Sequence, residues 1–306
     1  MTRWGVVATA KAPAVDIMNF AAHHLQLGAA RVHIYLDDDN THAETTLRSQ
    51  KSCLVTVCNQ TYWKNLRGKR PPKHQVRQLF NATDAYARTD DLDWLIHLDV
   101  DEFLWPNDTV AAILGREADQ TFCLRIRPWE ALSGGQAFKA FVPDGKERRQ
   151  LSQKLYPTFG RYLKGGFISH IAGKLFVRCG FQNVQLRIHN VRQGGTQNPG
   201  LSTTRAMSVL HLHYKDWDDW LARYHFRHQM GSYRPDLPPA RKDDGMNLHQ
   251  VLGHLEECDG QVGLKQFFDE VCADTPAHRE RLDRFDLLKL CDLQLETTRA
   301  RWFPDS

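Results

Sequence analysis

The sequence predicts an α/β protein: a single Rossmann-type α/β/α sandwich with a mostly parallel central sheet and a helical C-terminal extension. Three observations support this fold class. Between residues 4 and 127, short apolar runs alternate with helical patterns, as in consecutive βαβ units. The nearly continuous apolar run from Trp94 to Leu98 is typical of a parallel strand that is covered on both faces. After the proline-rich break at Pro235–Pro239, three helical patterns close the chain. We therefore expect a main domain over residues 1–231 and a helical extension over residues 232–306.

Each element is predicted from the period of its apolar residues. Strands are expected at Trp4–Ala10, Arg31–Leu36, Cys53–Cys58, Trp94–Leu98, Thr121–Arg127, Lys174–Arg178, Val184–His189 and Met207–Tyr214. Helices are expected at Val15–Leu25, Glu44–Gln50, His74–Arg88, Asn107–Leu114, Lys215–Met230, Leu248–Glu257, Val262–Ala273 and Arg279–Trp302. The predicted buried face of the helix at His74–Arg88 carries Val76, Leu79, Phe80, Thr83 and Ala87.

Composition excludes several classes of protein. The chain has 306 residues and a net charge of +4, from 40 basic and 36 acidic side chains, so nothing in its charge demands nucleic acid as a partner. No run approaches the ~18 apolar residues of a membrane span, and the N-terminal apolar stretch is too short for a signal peptide. The seven cysteines form no C-x-x-C pair and predict reduced thiols. We therefore expect a cytoplasmic protein.

The central motif follows the strand at Trp94–Leu98, where the sequence changes abruptly to Asp99-Val100-Asp101-Glu102. Unpaired carboxylates are costly inside a packed core, so we expect them at the carboxyl edge of the sheet, where open α/β sheets bind ligands. In an extended chain Asp99 and Asp101 point the same way and can share one divalent cation. The open positions of such a cation suit diphosphate oxygens, whereas the plainer alternative is a solvated acidic turn.

Two further groups are candidates for the same edge. The acidic tip Asp37–Asp39 follows the second strand and either contacts a base or ribose or is a solvated turn. The strand that ends in HLHY places His211 and His213 on one face, either as metal ligands or as a hydrogen-bonded pair. No G-x-G-x-x-G follows the first strand and no P-loop motif is present. The main sequence support for a dinucleotide-binding site or a P-loop nucleotide site is therefore missing. For the basic stretch at Lys64–Lys73 the sequence leaves two alternatives: a contact with phosphate or a solvated loop.

These motifs together resemble the family 2-like glycosyltransferases of GT-A fold that carry a D-x-D-E-F motif. The resemblance rests on LDVDEFLW, on the upstream AAHHLQLGAARVHIYLDDDNT and on the downstream HLHYKDWDDWL, and it covers roughly residues 4–231. It implies a GT-A-like sandwich and a metal-dependent transferase that uses a nucleoside-diphosphate sugar.

The resemblance also implies roles for individual residues. The metal ligands would be Asp99, Asp101 and His213, with Mn²⁺ or Mg²⁺ as the ion. The donor contacts would be Asp38, Asp99, Lys174 and Lys11, although the family has asparagine and glutamate where Lys11-Ala12-Pro13 stands here. His189 also resembles a recurring family position.

The reaction implied is a displacement at the anomeric carbon by an acceptor hydroxyl of a glycan or glycolipid. The transferred unit would be a hexose and the configuration would be inverted. Inversion requires a carboxylate base on the acceptor side, for which Glu130, in the loop after the strand at Thr121–Arg127, is the candidate. Asp144 and Asp216 are the alternatives to Glu130.

Two other functions stay open. One is a haloacid-dehalogenase-like phosphotransferase, which also places D-x-D after an apolar strand, although ordinarily after the first one. The other is a non-catalytic nucleotide-sugar-binding protein. The C-terminal helices could pack on the domain, form a dimer or make a peripheral membrane contact, and their mixed charges favour packing.

Overall fold

A computed structural model describes residues 2–143, 145–240 and 245–304 of the chain. They form two compact units, each built from separate segments. The first unit comprises residues 1–127, 172–209 and 293–306, and the second comprises residues 128–171 and 210–292. The boundary expected between residues 231 and 232 falls inside the second unit. Asp144, one of the candidate bases, lies outside the described residues.

The first unit is an α/β fold. Its strands are β1 (Trp4–Ala10), β2 (Arg31–Leu36), β3 (Cys53–Val57), β4 (Trp94–His97), β5 (Glu102–Pro106), the first part of β6 (Cys123–Ala131), β8 (Lys174–Arg178), β9 (Val184–Leu186), β10 (Val191–Gln193), β11 (Thr196–Gln197) and most of β12 (Leu201–His211). Its helices are α1 (Ala14–Gln26), α2 (Thr41–Arg48), α3 (Gln60–Arg67), α4 (His74–Tyr86), α5 (Val110–Gly115) and α10 (Leu295–Trp302).

A parallel core organises this unit. Strands β3, β2, β1 and β4 lie side by side in parallel, β8 pairs antiparallel with β4, and β6 pairs antiparallel with β8. All seven residues of β1 are buried, as expected for a strand with helices on both faces. Strands β9, β10 and β11 form a small antiparallel sheet of their own. The predicted α/β fold is confirmed.

The second unit combines helices with a short sheet. Its helices are α6 (Lys146–Leu155), α7 (Trp217–Gln229), α8 (Leu248–Val271) and α9 (Pro276–Asp283), together with a 3-10 turn at Gly160–Tyr162. The end of β6 pairs with β7 (Ala137–Lys139), which pairs with β13 (Leu288–Leu290). Tyr214, Trp220 and Phe268 belong to its apolar core. None of the helices in the described ranges combines the length and the apolar character that crossing a bilayer requires.

The C-terminal segment differs from its predicted single helix at Arg279–Trp302. The chain there forms α9, then β13, then α10, so that prediction is wrong. The strand forms because β7 offers an open edge, with Lys289 paired to Phe138. Helix α10 packs on α1, where Arg299 donates to Asn19 at 3.0 Å and the Trp302 indole N–H donates to Gln26 at 3.2 Å. The structure thus shows α10 packed on α1 within the first unit.

Candidate functional site

The acidic motif forms a tight turn at the end of β4. Leu98 still donates its N–H to the carbonyl of Val7 on β1, at 3.0 Å. The Asp99 N–H then donates to Oε2 of Glu102 at 2.8 Å, and the Glu102 N–H donates back to the carbonyl of Asp99 at 3.0 Å. Val100 and Asp101 occupy the turn. The extended conformation expected for Asp99 and Asp101 is therefore wrong, because the two reciprocal hydrogen bonds are available only in a turn.

Lys174, the first residue of β8, lies between two carboxylates of this turn. Its Nζ is 2.8 Å from Oδ2 of Asp99 and 2.7 Å from Oε2 of Glu102, and both Lys174 and Glu102 have side chains that are 0% exposed. Burial by itself disfavours the ammonium, but the two carboxylates outweigh it and raise the pKa of Lys174 above its usual value. Lys174 therefore stays charged, and the carboxylates of Asp99 and Glu102 neutralise its charge inside the protein.

The backbone before Lys174 requires glycine. Gly173 has φ +73°, and a Cβ on it would lie 2.1 Å from the carbonyl oxygen of Ile126 on β6. The imidazole of His189 donates from Nδ1 to the Gly173 carbonyl at 3.0 Å, and the Arg125 guanidinium donates to the Ala172 carbonyl at 2.6 Å. The sequence AGK thus places Lys174 at a fixed point beside the turn.

Helix α4 supplies a residue that sequence reasoning missed. The side chain of Gln78 is buried and donates from Nε2 to Oδ1 of Asp99. Since Lys174 contacts the other oxygen, protein donors reach both oxygens of the Asp99 carboxylate. The carboxylate is 26% exposed, so it combines a fixed orientation with access to the edge of the sheet.

The reason for missing Gln78 is that the predicted buried face of α4 is wrong. The residues of α4 that are buried are Gln78, Asn81, Ala82, Ala85 and Tyr86. Asn81 is compatible with that position because it donates to Thr9 at 3.0 Å and accepts from Tyr62 at 2.8 Å. Apolar periodicity cannot detect a face whose polar members are satisfied by partners distant in the sequence.

The end of β2 carries a second charged group. Asp37 has a side chain that is 0% exposed, and its carboxylate contacts Arg70 at 2.9 Å and Arg77 at 2.7 Å. Arg70, from the predicted basic stretch, is 47% exposed at its side chain. Partial burial raises the pKa of Asp38, and the charge of Lys11 opposes that shift. Asp38 and Lys11, both expected donor contacts, are therefore electrostatic neighbours at the ends of β2 and β1.

The expected metal-binding histidine belongs to a cluster in the second unit. The ring centroids of His211 and His213 are 5.0 Å apart, and those of His170 and His211 are 5.3 Å apart. Burial, reinforced by the charge of Arg227, lowers the pKa of His213 well below its usual value. A neutral imidazole is the form that binds a metal ion.

Glu130, the candidate base, lies within β6 and not in a loop. Its side chain is 0% exposed, and Oε1 is 2.7 Å from Nζ of Lys139. The N–H groups of Ile168 and Ser169 donate to its two oxygens at 3.2 and 2.8 Å. Burial opposes ionisation, but the ion pair and these donors prevail and lower the pKa of Glu130. Asp216, an alternative base, caps α7 by accepting from the Asp219 N–H at 2.9 Å.

The described residues provide donors for a divalent ion. Acidic and histidine side chains that could hold one are present, and they include Asp101 and His213. Asp101 is partly exposed in the turn. Carboxylate oxygens suit Mn²⁺ and Mg²⁺, and imidazole suits transition ions, so each of these two kinds of side chain is chemically able to bind a divalent cation.

Comparison with known proteins finds only distant structural neighbours. No protein-family model and no curated protein matches the chain significantly. The galactosyltransferase LgtC, solved in complex with donor and acceptor sugar analogues, is 14% identical with a TM-score of 0.27, over 56% of this chain and 57% of that one. An active-site mutant of LgtC is 12% identical with a TM-score of 0.29, over 56% of each chain.

A third solved structure covers more of the chain. HddC from Yersinia pseudotuberculosis is 8% identical with a TM-score of 0.33, over 72% of this chain and 97% of that one. For LgtC, by contrast, the match spans little more than half of the length of that protein. At these identities and TM-scores, none of the likenesses identifies an activity.

Proposed function

We propose that this protein is a metal-dependent glycosyltransferase of GT-A type that moves a hexose from a nucleoside-diphosphate donor to an acceptor hydroxyl, with inversion. The observation that carries the proposal is the turn at the end of β4. There a partly exposed Asp99 is oriented by Lys174 and Gln78, and Asp101 lies two residues further on. The carboxyl edge of parallel strands is where open α/β sheets bind ligands.

In this proposal Asp99, Asp101 and His213 hold Mn²⁺ or Mg²⁺, as the resemblance to D-x-D-E-F transferases implies. The bound ion would stabilise the negative charge that develops on the departing nucleoside diphosphate. Lys174 orients Asp99, and its own contact with the donor stays a prediction. Asp38 and Lys11 contact the donor nucleoside directly, since carboxylate and ammonium groups suit hydroxyl and carbonyl partners.

The proposed base is Glu130. Its ionised form is favoured by Lys139, which meets one requirement of a base. A base must also come within hydrogen-bond reach of the acceptor hydroxyl, and that requirement has to be tested directly. The acceptor, a glycan or glycolipid hydroxyl, the cytoplasmic location and a peripheral membrane contact stay predictions.

The experiment is a thermal-shift screen against UDP, GDP, CDP, ADP and dTDP, each with Mn²⁺, Mg²⁺ or EDTA. A ligand present at about 100 Kd stabilises the folded state by about 2.7 kcal/mol, so one nucleotide should raise Tm only when metal is present. Asp101→Asn should abolish that shift without lowering the ligand-free Tm. Asp119→Asn, which changes an exposed carboxylate of the same unit, is the matched control and should behave as the wild type.

Three outcomes would contradict the proposal in different ways. Stabilisation that is the same in EDTA would remove the metal from donor binding. Hydrolysis of generic aryl phosphates with no nucleotide response would favour the phosphotransferase. Metal-dependent binding of a nucleotide sugar without any release of nucleoside diphosphate, whatever acceptor is added, would favour a binding protein.

A further inference from the structure

A cleft of about 840 Å³ lies in the first unit, at the end of the sheet opposite to the acidic turn. Leu92 and Asp93 line it and come directly before β4, whereas Asp99 follows the end of that strand. Arg178, at the end of the antiparallel strand β8, lines it as well. At about 3.3 Å per residue, β4 separates the cleft from the turn by roughly 13 Å. The volume lies in the range of small-molecule sites, roughly 300–1,000 Å³, and the cleft is separate from the proposed donor site.

An aromatic side chain stands exposed in this cleft. Phe181 is 47% exposed and packs edge-on against Phe122, with the ring centroids 5.2 Å apart. Its backbone is held as well, because the Tyr86 hydroxyl donates to the Arg178 carbonyl at 2.6 Å and accepts from the Phe181 N–H at 3.4 Å. Phe181 is therefore fixed in position while much of its ring stays open to a ligand.

The walls of the cleft carry several negative charges. The carboxylates that line it belong to Asp90, Asp93 and Asp119, and all three residues are exposed. Asp93 accepts a hydrogen bond from the backbone N–H of Arg3 at 2.7 Å, a neutral donor that does not cancel the charge. The side chain of Arg3 pairs instead with Asp91, at 2.9 Å, and Asp91 does not line the cleft.

Arg178 is the one cationic side chain among the described residues that line the cleft. Its guanidinium donates to the carbonyls of Thr121 at 2.6 Å and Ala118 at 3.0 Å. The same group lies 4.4 Å from the centroid of the Trp94 ring. These partners occupy the guanidinium, and three carboxylates against one guanidinium leave the cleft with a net negative charge.

We propose that this cleft is a binding site for a small organic cation with an aromatic or other apolar body, such as an arylalkylammonium. An exposed aromatic face attracts a cation and also packs against an apolar group. Carboxylates accept hydrogen bonds from ammonium N–H groups, and the net negative charge disfavours anions. The proposal does not depend on the proposed function, because the cleft lies at the other end of the sheet.

The test uses the full wild-type chain and three probes that share one phenyl ring: 2-phenylethylamine, 2-phenylethanol and 3-phenylpropionate. At pH 7 the first is a cation, the second is neutral and the third is an anion. In ligand-observed NMR titrations the amine should bind at least about tenfold more tightly than the alcohol. The carboxylate should bind more weakly still. Raising the salt from about 20 to 500 mM should weaken binding of the amine several-fold and leave that of the alcohol unchanged, because exposed charges are screened.

Two variants place the binding in the cleft. Phe181→Ala should weaken binding of the amine by about fivefold or more, and Asp90→Asn by about twofold or more. The matched controls are Leu54→Ala, which changes a 41% exposed side chain of β3, and Asp39→Asn, which changes an exposed carboxylate after β2. Neither control residue lines the cleft, and both variants should keep the wild-type affinity.

Three results would overturn the proposal. One is the absence of amine binding at concentrations up to about 10 mM. Another is equal affinity for the amine and the alcohol, which would mean that charge plays no part. The third is full affinity in Phe181→Ala, which would place the bound amine elsewhere.

The cleft and the proposed transferase fail separately. If the amine binds as expected but no nucleotide stabilises the protein, the cleft stands and the transferase does not. If a nucleotide stabilises the protein with metal, and Phe181→Ala keeps that response while no amine binds to the wild type, the transferase stands and the cation site does not.

Discussion

Replacing Lys174 with methionine tests the charged network beside the turn. The substitution keeps the approximate volume of the side chain and removes the ammonium. Glu102, with a side chain that is 0% exposed, would then lose its cationic partner at 2.7 Å. Leaving one partner of a buried ion pair without its counter-charge costs about 3–5 kcal/mol. Asp99 adds less to this cost because it is 26% exposed and keeps its hydrogen bond from Gln78.

The assay is urea unfolding followed by tryptophan fluorescence at pH 7.5. We expect Lys174→Met to lower the free energy of unfolding by about 3–5 kcal/mol. Combining it with Glu102→Gln should be less destabilising than the sum of the two single changes by about 1–3 kcal/mol, because the two side chains contact each other in the wild type. Arg48→Met, which breaks an exposed ion pair with Glu44, should cost less than about 1 kcal/mol.

Two results would refute this reasoning. If Lys174→Met costs no more than the Arg48→Met control, the ammonium does not compensate a buried carboxylate. If the costs of Lys174→Met and Glu102→Gln simply add, the two side chains are not coupled, and the account of how Asp99 is oriented fails with them.

Two further predictions concern pH and the candidate base. Burial lowers the pKa of His23 and of His97 to about 4. Because the unfolded chain binds these protons near pH 6.5, the stability that each neutral ring contributes is complete above that pH and is lost as the pH falls towards 4. Thermal melts from pH 7.5 to 4.5 should show Tm falling, and His23→Gln should reduce the slope; an unchanged slope would contradict the assignment. For Glu130→Gln, loss of a base should slow release of nucleoside diphosphate from the donor by about 10²-fold or more with donor affinity unchanged. If the folded fraction of Glu130→Gln releases nucleoside diphosphate at a rate within a few-fold of the wild type, Glu130 is not the base and serves only as the ion-pair partner of Lys139.

Strand prediction succeeded where burial is continuous. The bounds of β1, β2 and β8 agree with the predicted strands, because a strand covered on both faces is mostly apolar. The runs and their helical crossovers were sufficient to predict the α/β fold. By contrast, β13 could not be read from its three residues, because it exists only where β7 offers an edge to pair with.

The acidic motif follows β4 as expected, but its local geometry differs from the extended chain that was predicted. The sequence shows that Asp99 and Asp101 follow a buried strand. Carboxylates keep their hydration at an exposed edge, whereas burying them would cost free energy. It does not show that Glu102 turns back to accept the Asp99 N–H, which makes the motif a turn.

The sequence by itself determined the parallel core, the order of its strands along the chain and the edge at which the acidic motif emerges, because these depend on burial and on local period. Only the tertiary structure decided which charges neutralise each other. Lys174 contacts Asp99 and Glu102, and Gln78 contacts Asp99, between residues that are 21 or more positions apart in the sequence. Such pairings are set by the register between β4 and β8 and by the rotation of α4, and they leave no periodic signal in the sequence.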